Sequence, residues 1–283
     1  MNSRSDSEIV TASLNNFALL KISGTDSESF LHGQFTADII SLEKDNSRLG
    51  AWCNPKGQVI CTMLIIKTDD SILILFKADQ KDYVLKRLKM FVLRADVSIE
   101  DLNNEFLLLG TDEKADALPS NATSYPFPDH QHYLYLIDKD TQLEESIQLA
   151  SSDAWQKLMI EAGIPWVTEI NREKFLPQML NLDQLDGLSY QKGCYPGQEV
   201  IARLHYRGEV KRRLYSIKSN GELIEGTVIN TDKDEKVGIV INAVKEDVYF
   251  FGLAVIEIDR LDDQLILKTG ETVQITSTTT NGI

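Results

Sequence analysis

The feature that most limits the fold is a change of pattern near residue 208. Up to that point apolar residues recur at both helical and strand spacings, whereas the remainder has short alternating runs separated by turn residues. A series of about six short antiparallel strands suits a small barrel. We therefore predict an α+β region over 1–207 and a C-terminal antiparallel β-barrel over 208–283. The strands predicted in the second region are 214–219, 227–230, 237–244, 248–258, 264–268 and 272–276.

The first region interleaves strand and helix signals. Thr25 and Glu28 have the spacing of a capping box, which predicts a helix that runs to about Gly33. The NPKG sequence at 54–57 suits a tight reversal, so a β-hairpin is predicted there. Residues 113–128, rich in Asp, Ala, Ser and Pro, are predicted to form an exposed connection. Further strands are predicted at 17–22, 49–53, 58–66 and 72–76, and a helix is predicted at 80–91.

Charge balance and cysteine count limit the partners and the compartment. The 283 residues include 29 Lys and Arg against 43 Asp and Glu, a formal net charge of −14, which opposes sequence-independent binding to polyphosphates. The 3 cysteines do not make a disulfide framework and fit a reducing compartment. No apolar run approaches the roughly 20 residues that span a bilayer, and the N-terminus lacks the pattern of a secretion signal. We therefore expect a cytoplasmic protein with no membrane contact.

The segment 192–199, KGCYPGQE, contains the candidate functional thiol, Cys194. Gly193 and Gly197 allow sharp turns on both sides of this cysteine, and Pro196 fixes one φ angle. The thiol is therefore expected on a stiff loop. A buried, inert cysteine on a structural turn is the alternative that the residues leave open.

Charged residues near Cys194 would tune its chemistry. A cysteine acts as a nucleophile or metal ligand in its thiolate form, which nearby cations favour. Lys192 precedes the cysteine, and Arg203 and Arg207 follow it. Hydrogen-bonding groups are added by Gln198 and Glu199.

Basic residues cluster between positions 203 and 213, where only Glu209 opposes them. Arginine offers paired donors to phosphate and carboxylate groups, so the segment could bind such a ligand. A solvated face with no ligand is the alternative. The cations are Arg203, Arg207, Lys211, Arg212 and Arg213.

A helix is predicted between Ser152, which is positioned to cap it, and Gly163, which is positioned to end it. Its inward stripe includes Trp155, which either fills the core or stacks on a ligand. Both possibilities stay open on the pattern alone. The residues of the stripe are Trp155, Leu158, Met159 and Ala162.

Neither the cysteines nor the histidines have the spacing of a metal site. We predict no metal bound within the chain, and we expect Cys53 and Cys61 to pack in the core. An iron–sulfur cluster normally needs four ligands, so this chain could only share one with a partner.

Residues 192–203, KGCYPGQEVIAR, followed by YRG at 206–208, resemble the signature of the YgfZ family. That family belongs with the T-protein of the glycine cleavage system, a tetrahydrofolate-dependent aminomethyltransferase. The resemblance implies a T-protein-like folate-binding ring of mixed sheets and helices, in which residues 1–207 form two intertwined α+β lobes. It extends over 17–27, 34–38, 160–165 and 177–182.

The resemblance also implies the residues of the site. Trp155 matches a family tryptophan that contacts folate, and Phe17 stands where the family can have a tryptophan, keeping a stacking surface without the indole N–H. Cys194 and Lys192 are predicted to be catalytic. The supporting motif residues are Gly193, Tyr195, Gly197, Gln198, Glu199, Arg203 and Arg207.

The function implied is support of iron–sulfur cluster assembly or repair, including in radical enzymes that thiolate tRNA. The cofactor would be tetrahydrofolate or a derivative, and a cluster could be shared transiently with a partner. Cys194 would be a cluster ligand, an exchanging thiol or a nucleophile. tRNA modification is then an indirect consequence, and the net charge disfavours direct tRNA binding.

The alternative function is folate-dependent one-carbon transfer. T-proteins carry paired aspartates shortly after the hairpin glycine, and one of these is catalytic. The matching positions here are Cys61 and Thr62, neither of which can act as the acid or base that amine transfer would use. The sequence therefore favours a maturation factor over an aminomethyltransferase.

Overall fold

The computed structural model describes residues 9–115 and 117–278. No helix in these two ranges is both long and apolar enough to cross a bilayer. The α-helices are α1 Ser27–His32, α2 Lys81–Val92, α3 Ser152–Glu161 and α4 Gln198–Arg207. The strands are β1 Thr11–Ser13, β2 Phe17–Ser23, β3 Ser47–Cys53, β4 Val59–Lys67, β5 Ser71–Lys77, β6 Ser98–Asp101, β7 Phe106–Thr111, β8 Thr123–Pro126, β9 Tyr133–Asp138, β10 Leu149–Ala150, β11 Arg212–Ser219, β12 Val228–Thr231, β13 Lys236–Glu246, β14 Tyr249–Glu257, β15 Leu265–Leu267 and β16 Val273–Thr278.

The first sheet is antiparallel, has the strand order β3-β4-β5-β2-β6 and packs against a separate core cluster on each face. Successive side chains of a strand point to opposite faces. Leu20 of β2 accordingly joins the cluster formed with α1 and α2, whereas Leu19 joins the core shared with α3 and the third sheet. This two-sided burial explains why β4 and β5 read as continuous apolar runs.

The predicted hairpin is confirmed. Strands β3 and β4 pair around residues 54–57, and the Asn54 side chain closes the turn by accepting from the backbone N–H groups of Lys56 and Gln58 at 2.9 and 3.0 Å. Trp52 pairs with Cys61, so the two cysteines of the hairpin are not directly opposite. Cys53 and Cys61 are both buried, as expected.

The second sheet has the order β10-β1-β7-β9-β8. Strand β1 comes from the beginning of the described chain, and its partners β7 and β10 follow the whole of the first sheet. The prediction of an exposed connection over 113–128 is wrong in part, because β8 lies inside it and pairs with β9. Although the segment 113–128 is polar in composition, two of its aromatic side chains, Tyr125 and Phe127, are buried.

The third sheet is antiparallel, in the order β15-β12-β13-β14-β11-β16. All six predicted strands of the C-terminal region are found, within a few residues of the predicted ends. The sheet curls so far that its two edges meet at a bridge between Ile266 and Thr272. The predicted small barrel is therefore confirmed.

Two predicted helix caps are wrong, and one helix was missed. Thr25 does not cap α1, because its hydroxyl donates to Asp96 at 2.8 Å and the N-cap position is Asp26. Ser152 is the first residue of α3 and not its cap, which is Ser151. The helix α4 was not predicted, since its polar and basic sequence resembles an exposed linker.

The segment 164–171 joins the first sheet to the third. Thr62 of β4 donates to the Pro165 carbonyl at 2.9 Å and accepts from the Val167 N–H at 2.8 Å. Asn242 of β13 binds both backbone groups of Trp166 at 2.8 Å. These groups are buried, so the paired hydrogen bonds are strong constraints. They fix the position of the third sheet relative to the first.

Candidate functional site

Cys194 lies on a loop just before α4 and is exposed. The loop rests on the β3–β4 turn, and the contact is closest at Gly197, whose φ is 83°. A Cβ added there would lie 2.5 Å from Gly57 Cα. Gly193 differs from the prediction, because it has no positive φ and an added Cβ would meet no atom of the described residues within 4 Å. Of the two glycines, only Gly197 has a backbone conformation and a backbone contact that exclude a side chain.

Lys192 anchors the other end of the loop. Its side chain is 9% exposed, and its ammonium donates to the carbonyls of His32, Phe35 and Ala37, the last two at 2.5 and 3.1 Å. Burial lowers the pKa of Lys192 to about 8, while Asp38 opposes that shift. The observed contacts make Lys192 a tether between the loop and the end of α1. Its predicted catalytic role stays a prediction.

Tyr195 and Gln198 complete the anchoring. Tyr195 is buried, with the Lys192 ammonium 4.8 Å from its ring centroid, and burial raises the pKa of its phenol. Gln198 donates from its side chain to the Lys192 carbonyl at 3.3 Å. The loop is therefore held by buried side chains on both sides of an exposed thiol.

The remaining motif residues lie on the surface of α4. Ile201 packs this helix into the core, and the opposite side of the helix exposes Glu199, Arg203 and Arg207. The structure thus divides the predicted motif into an anchored loop and an exposed, mostly basic helix face.

Phe17 and Trp155 are each 1% exposed and belong to different aromatic groups. Phe17 packs edge-on against Trp166, with ring centroids 4.8 Å apart. Trp155 packs against Phe127 and His132, at 5.3 and 5.8 Å. A ligand can stack on either ring only if neighbouring side chains move, so the predicted folate contacts stay predictions.

The indole of Trp155 has two further properties. It lies flat over Gly110, where an added Cβ would come within 2.5 Å of the ring. Its N–H is buried and has no hydrogen-bond partner among the described residues. A buried donor without an acceptor is costly, commonly by about 1–3 kcal/mol, and therefore calls for an explanation.

Sequence reasoning missed a buried polar group at the end of β5. Lys77 is 6% exposed, lies 4.4 Å from the Phe17 ring centroid and donates to the Gln156 side chain at 3.0 Å. Burial lowers the pKa of Lys77, and the charge of Glu225 opposes the shift. The one signal in the sequence was a lysine at the end of an apolar strand.

Glu225, which lies between β11 and β12 of the third sheet, supplies a negative charge that acts on Lys77. Its carboxylate accepts from Thr168 at 2.7 Å and from Asn242 at 3.3 Å. Burial raises the pKa of Glu225, while these donors and Lys77 act in the opposite direction. Lys77 and Glu225 thus bring opposite charges to the junction of the first and third sheets.

Cys61 and Thr62 stand at the positions that the resemblance matches to the T-protein aspartates. Both are buried. Burial raises the pKa of the Cys61 thiol, and the Thr62 hydroxyl is occupied by backbone partners of the segment 164–171. These side chains have a packing and tethering role.

No group of three or more His, Cys, Asp and Glu side chains within 9–115 and 117–278 could hold a metal ion. The cysteines in particular are separated, since Cys53 and Cys61 lie in different core clusters and Cys194 lies on the surface.

The architecture defines the class of protein. Over 97% of its length the chain superposes on a solved glycine cleavage system aminomethyltransferase T from Bartonella henselae, with a TM-score of 0.73, 11% identity and 86% of that chain covered. At this identity the likeness shows the fold alone. The protein has a T-protein-like α+β fold, which confirms the predicted fold class. No protein-family model matches the chain.

Sequence relatives give the family. The chain is 32% identical over 266 residues to the tRNA-modifying protein YgfZ of Klebsiella pneumoniae (strain 342), which covers 83% of this chain and 80% of the relative. It is 31% identical over 237 residues to the protein of that name from Enterobacter sp. (strain 638), covering 75% and 72%. The chain belongs to the YgfZ family.

Proposed function

We propose that this protein is a cytoplasmic, folate-binding factor that supports the assembly or repair of iron–sulfur clusters, with Cys194 as its functional thiol. Its clients include radical enzymes that thiolate tRNA, which would link it to tRNA modification as the names of its relatives do. The iron–sulfur cluster is cargo that Cys194 handles together with a partner's ligands. The observation that carries the proposal is the exposed thiol on an anchored loop.

The contrast among the three cysteines supports this choice of thiol. Burial raises the pKa of both Cys53 and Cys61, so these thiols stay protonated and out of reach. Cys194 is accessible to a large partner because it is exposed. The tethers at Lys192, Tyr195 and Gly197 limit the loop's freedom, so little entropy is lost when a partner binds.

Three buried groups, which lie in two neighbouring parts of the core, support a reduced pterin as the ligand once the side chains packed on them move aside. The Trp155 N–H, which has no acceptor among the described residues, is a donor that a ring nitrogen or carbonyl of the ligand would satisfy. Phe17 would supply an aromatic surface, and the Lys77 ammonium beside it would meet a carbonyl or carboxylate. Bound tetrahydrofolate would supply a one-carbon carrier or a reductant, while this chain's residues bind and orient it.

Cys194→Ala should remove function and leave stability unchanged. The side chain is exposed, so the free energy of unfolding should change by no more than about 0.5 kcal/mol. The variant should fail to restore iron–sulfur enzyme activity in a strain that lacks the protein. Cys61→Ala is the matched control, since it should lower stability through a buried cavity but keep the exposed thiol. Full rescue by Cys194→Ala would contradict the proposed role of the thiol.

Trp155→Phe should weaken tetrahydrofolate binding by roughly tenfold, because phenylalanine keeps an aromatic ring but loses the N–H donor. Calorimetric titration measures the Kd, and the ligand-induced rise in Tm should shrink in parallel. Trp52→Phe is the control, since Trp52 is also 1% exposed but packs against Phe35 and Phe91 in a separate core. Equal weakening by both substitutions would remove Trp155 from the site.

Folate-dependent one-carbon transfer is the second candidate, favoured by the T-protein-like fold. Against this candidate, positions 61 and 62 hold Cys61 and Thr62 and not the carboxylates that the transfer would use. The Thr62 hydroxyl is already hydrogen-bonded to the backbone of Pro165 and Val167. Mass spectrometry of Cys194 after incubation with 5,10-methylene-tetrahydrofolate separates the candidates, since a one-carbon adduct would favour transfer.

A further inference from the structure

We propose that the exposed side of α4 and the cavity beside it bind a short single-stranded segment of nucleic acid. The cavity would take one base, and the cations would contact the neighbouring phosphates. This inference is independent of the proposed folate and thiol chemistry. The surface, called the α4 face below, consists of Arg203, Tyr206, Arg207 and the following Lys211.

The structure separates the free cations of the basic segment from the paired ones. Arg213 makes a two-pronged ion pair with Asp183, at 2.6 and 3.0 Å. Arg212 pairs with Glu257. A carboxylate already balances the charge of each of these two arginines, so they attract an anionic ligand less than unpaired cations do. The exposed cations for which no ion pair is found within the described ranges are Arg203, Arg207 and Lys211.

Aromatic rings cluster around the C-terminal half of α4, the helix that also carries Arg203 and Arg207. Tyr190 stacks on His205 with a centroid distance of 3.8 Å and an interplanar angle of 15°. Tyr206 packs edge-on against His205 at 4.7 Å and is 68% exposed. An exposed tyrosine between arginines is a stacking platform for a base. The rings border a cavity of about 340 Å³ whose lining includes Asp38, Arg48, Ser189, Tyr190, His205 and Tyr206.

The polar groups of the cavity suit the edge of a base. Arg48 is held in place by the Asp186 carboxylate at 2.9 Å and by the Asp38 carbonyl at 2.5 Å. The Asp38 carboxylate accepts from the Ser41 N–H at 3.2 Å, and its side chain is one-third exposed. A carboxylate accepts from the exocyclic amino groups of adenine, cytosine and guanine, which uracil and thymine lack. Asp38 is thus the basis for an expected preference for amino-bearing bases, which the binding experiment below tests.

A single strand fits this surface better than a duplex or an acidic protein does. Bases in a duplex are stacked and paired, so they cannot enter a one-base cavity. An acidic protein would use the cations but not the rings or the cavity. The net charge of −14 opposes extended contact with polyphosphate, and three local cations are compatible with a short contact only.

Fluorescence anisotropy of the full-length protein with a labelled single-stranded (CA)n RNA of about ten nucleotides tests the proposal. RNA and DNA both offer bases and phosphates, so DNA of the same sequence shows which of the two nucleic acids the protein prefers. Three phosphate contacts predict that log Kd rises with log salt with a slope of about 2. The same length of oligo-U should bind at least several-fold more weakly, and the (CA)n duplex should bind more weakly still.

Matched variants locate the contact. Arg203→Gln/Arg207→Gln should weaken binding by about tenfold at low salt and reduce the slope to about 1. Tyr206→Ala should weaken it by roughly tenfold, and Tyr206→Phe should not. Lys86→Gln/Lys89→Gln removes the same charge from the exposed side of α2 and should change neither quantity.

Three results would overturn the proposal. The first is no saturable binding at low salt, which would leave the α4 face to an acidic protein partner. The second is equal weakening by the α2 control variant, which would reduce the effect to net charge. The third is binding of the duplex or of oligo-U as tight as that of the mixed single strand, which would remove the cavity from the contact.

Discussion

Gly197→Ala should lower the free energy of unfolding by about 3 kcal/mol or more and disable the Cys194 loop. Gly197 has a φ of 83°, which alanine adopts only with strain. The new Cβ would lie 2.5 Å from Gly57 Cα and 2.6 Å from the Asn54 carbonyl oxygen. Both neighbours are backbone atoms of the β3–β4 turn. The turn and the loop must therefore separate, and no side-chain rotation can relieve the clash.

Thermal and denaturant unfolding measure this loss, which should appear as a Tm lower by roughly 10 °C. Gly193→Ala is the matched control on the other side of Cys194, since an added Cβ there meets no atom within 4 Å in the part of the chain that the structure describes and φ is not positive. Its stability should change by less than about 0.5 kcal/mol. Equal stability of the two variants would show that the loop does not depend on its contact with the turn.

Lys192→Met should cost about 2–4 kcal/mol, because it removes the donor shared by three backbone carbonyls while keeping the length of the side chain. The loss should be accompanied by greater mobility of the Cys194 loop, which limited proteolysis can detect. Lys56→Met is the control, since Lys56 is exposed on the turn beneath the same loop. A Lys192→Met variant as stable as the wild type would exclude the tether.

The pH dependence has a defined sign. Burial lowers the pKa of Lys192 from 10.5 to about 8, so the unfolded chain binds more protons than the folded one between these values. The contribution of this titration to stability is fully present above pH 10.5 and is lost as the pH falls through about 8. The stability difference between wild type and Lys192→Met should therefore grow with pH across this window. A constant difference would contradict the shifted pKa.

Local sequence patterns were enough to predict a large part of the fold. The hairpin at 54–57, the six strands of the C-terminal region and the inward side of α3 follow from turn residues and apolar spacing within short windows. The two missed elements, β8 and α4, were missed for the same reason, which is that their apolar pattern is weak. Strand β8 lies inside a stretch of polar composition, and α4 is an amphipathic helix whose apolar side is narrow, with Ile201 as its buried residue.

The sequence by itself determined that Cys194 lies in a glycine-containing, cation-rich motif and that Cys53 and Cys61 belong to a buried hairpin. Only the tertiary structure decided that Gly197 is needed by the turn at Gly57, that Lys192 is held by the carbonyls at and after the end of α1, and that Lys77 and Glu225 bring opposite charges to one junction. The members of each pair are more than 130 residues apart. Their energies arise from backbone approach and burial, which no window of neighbouring residues contains.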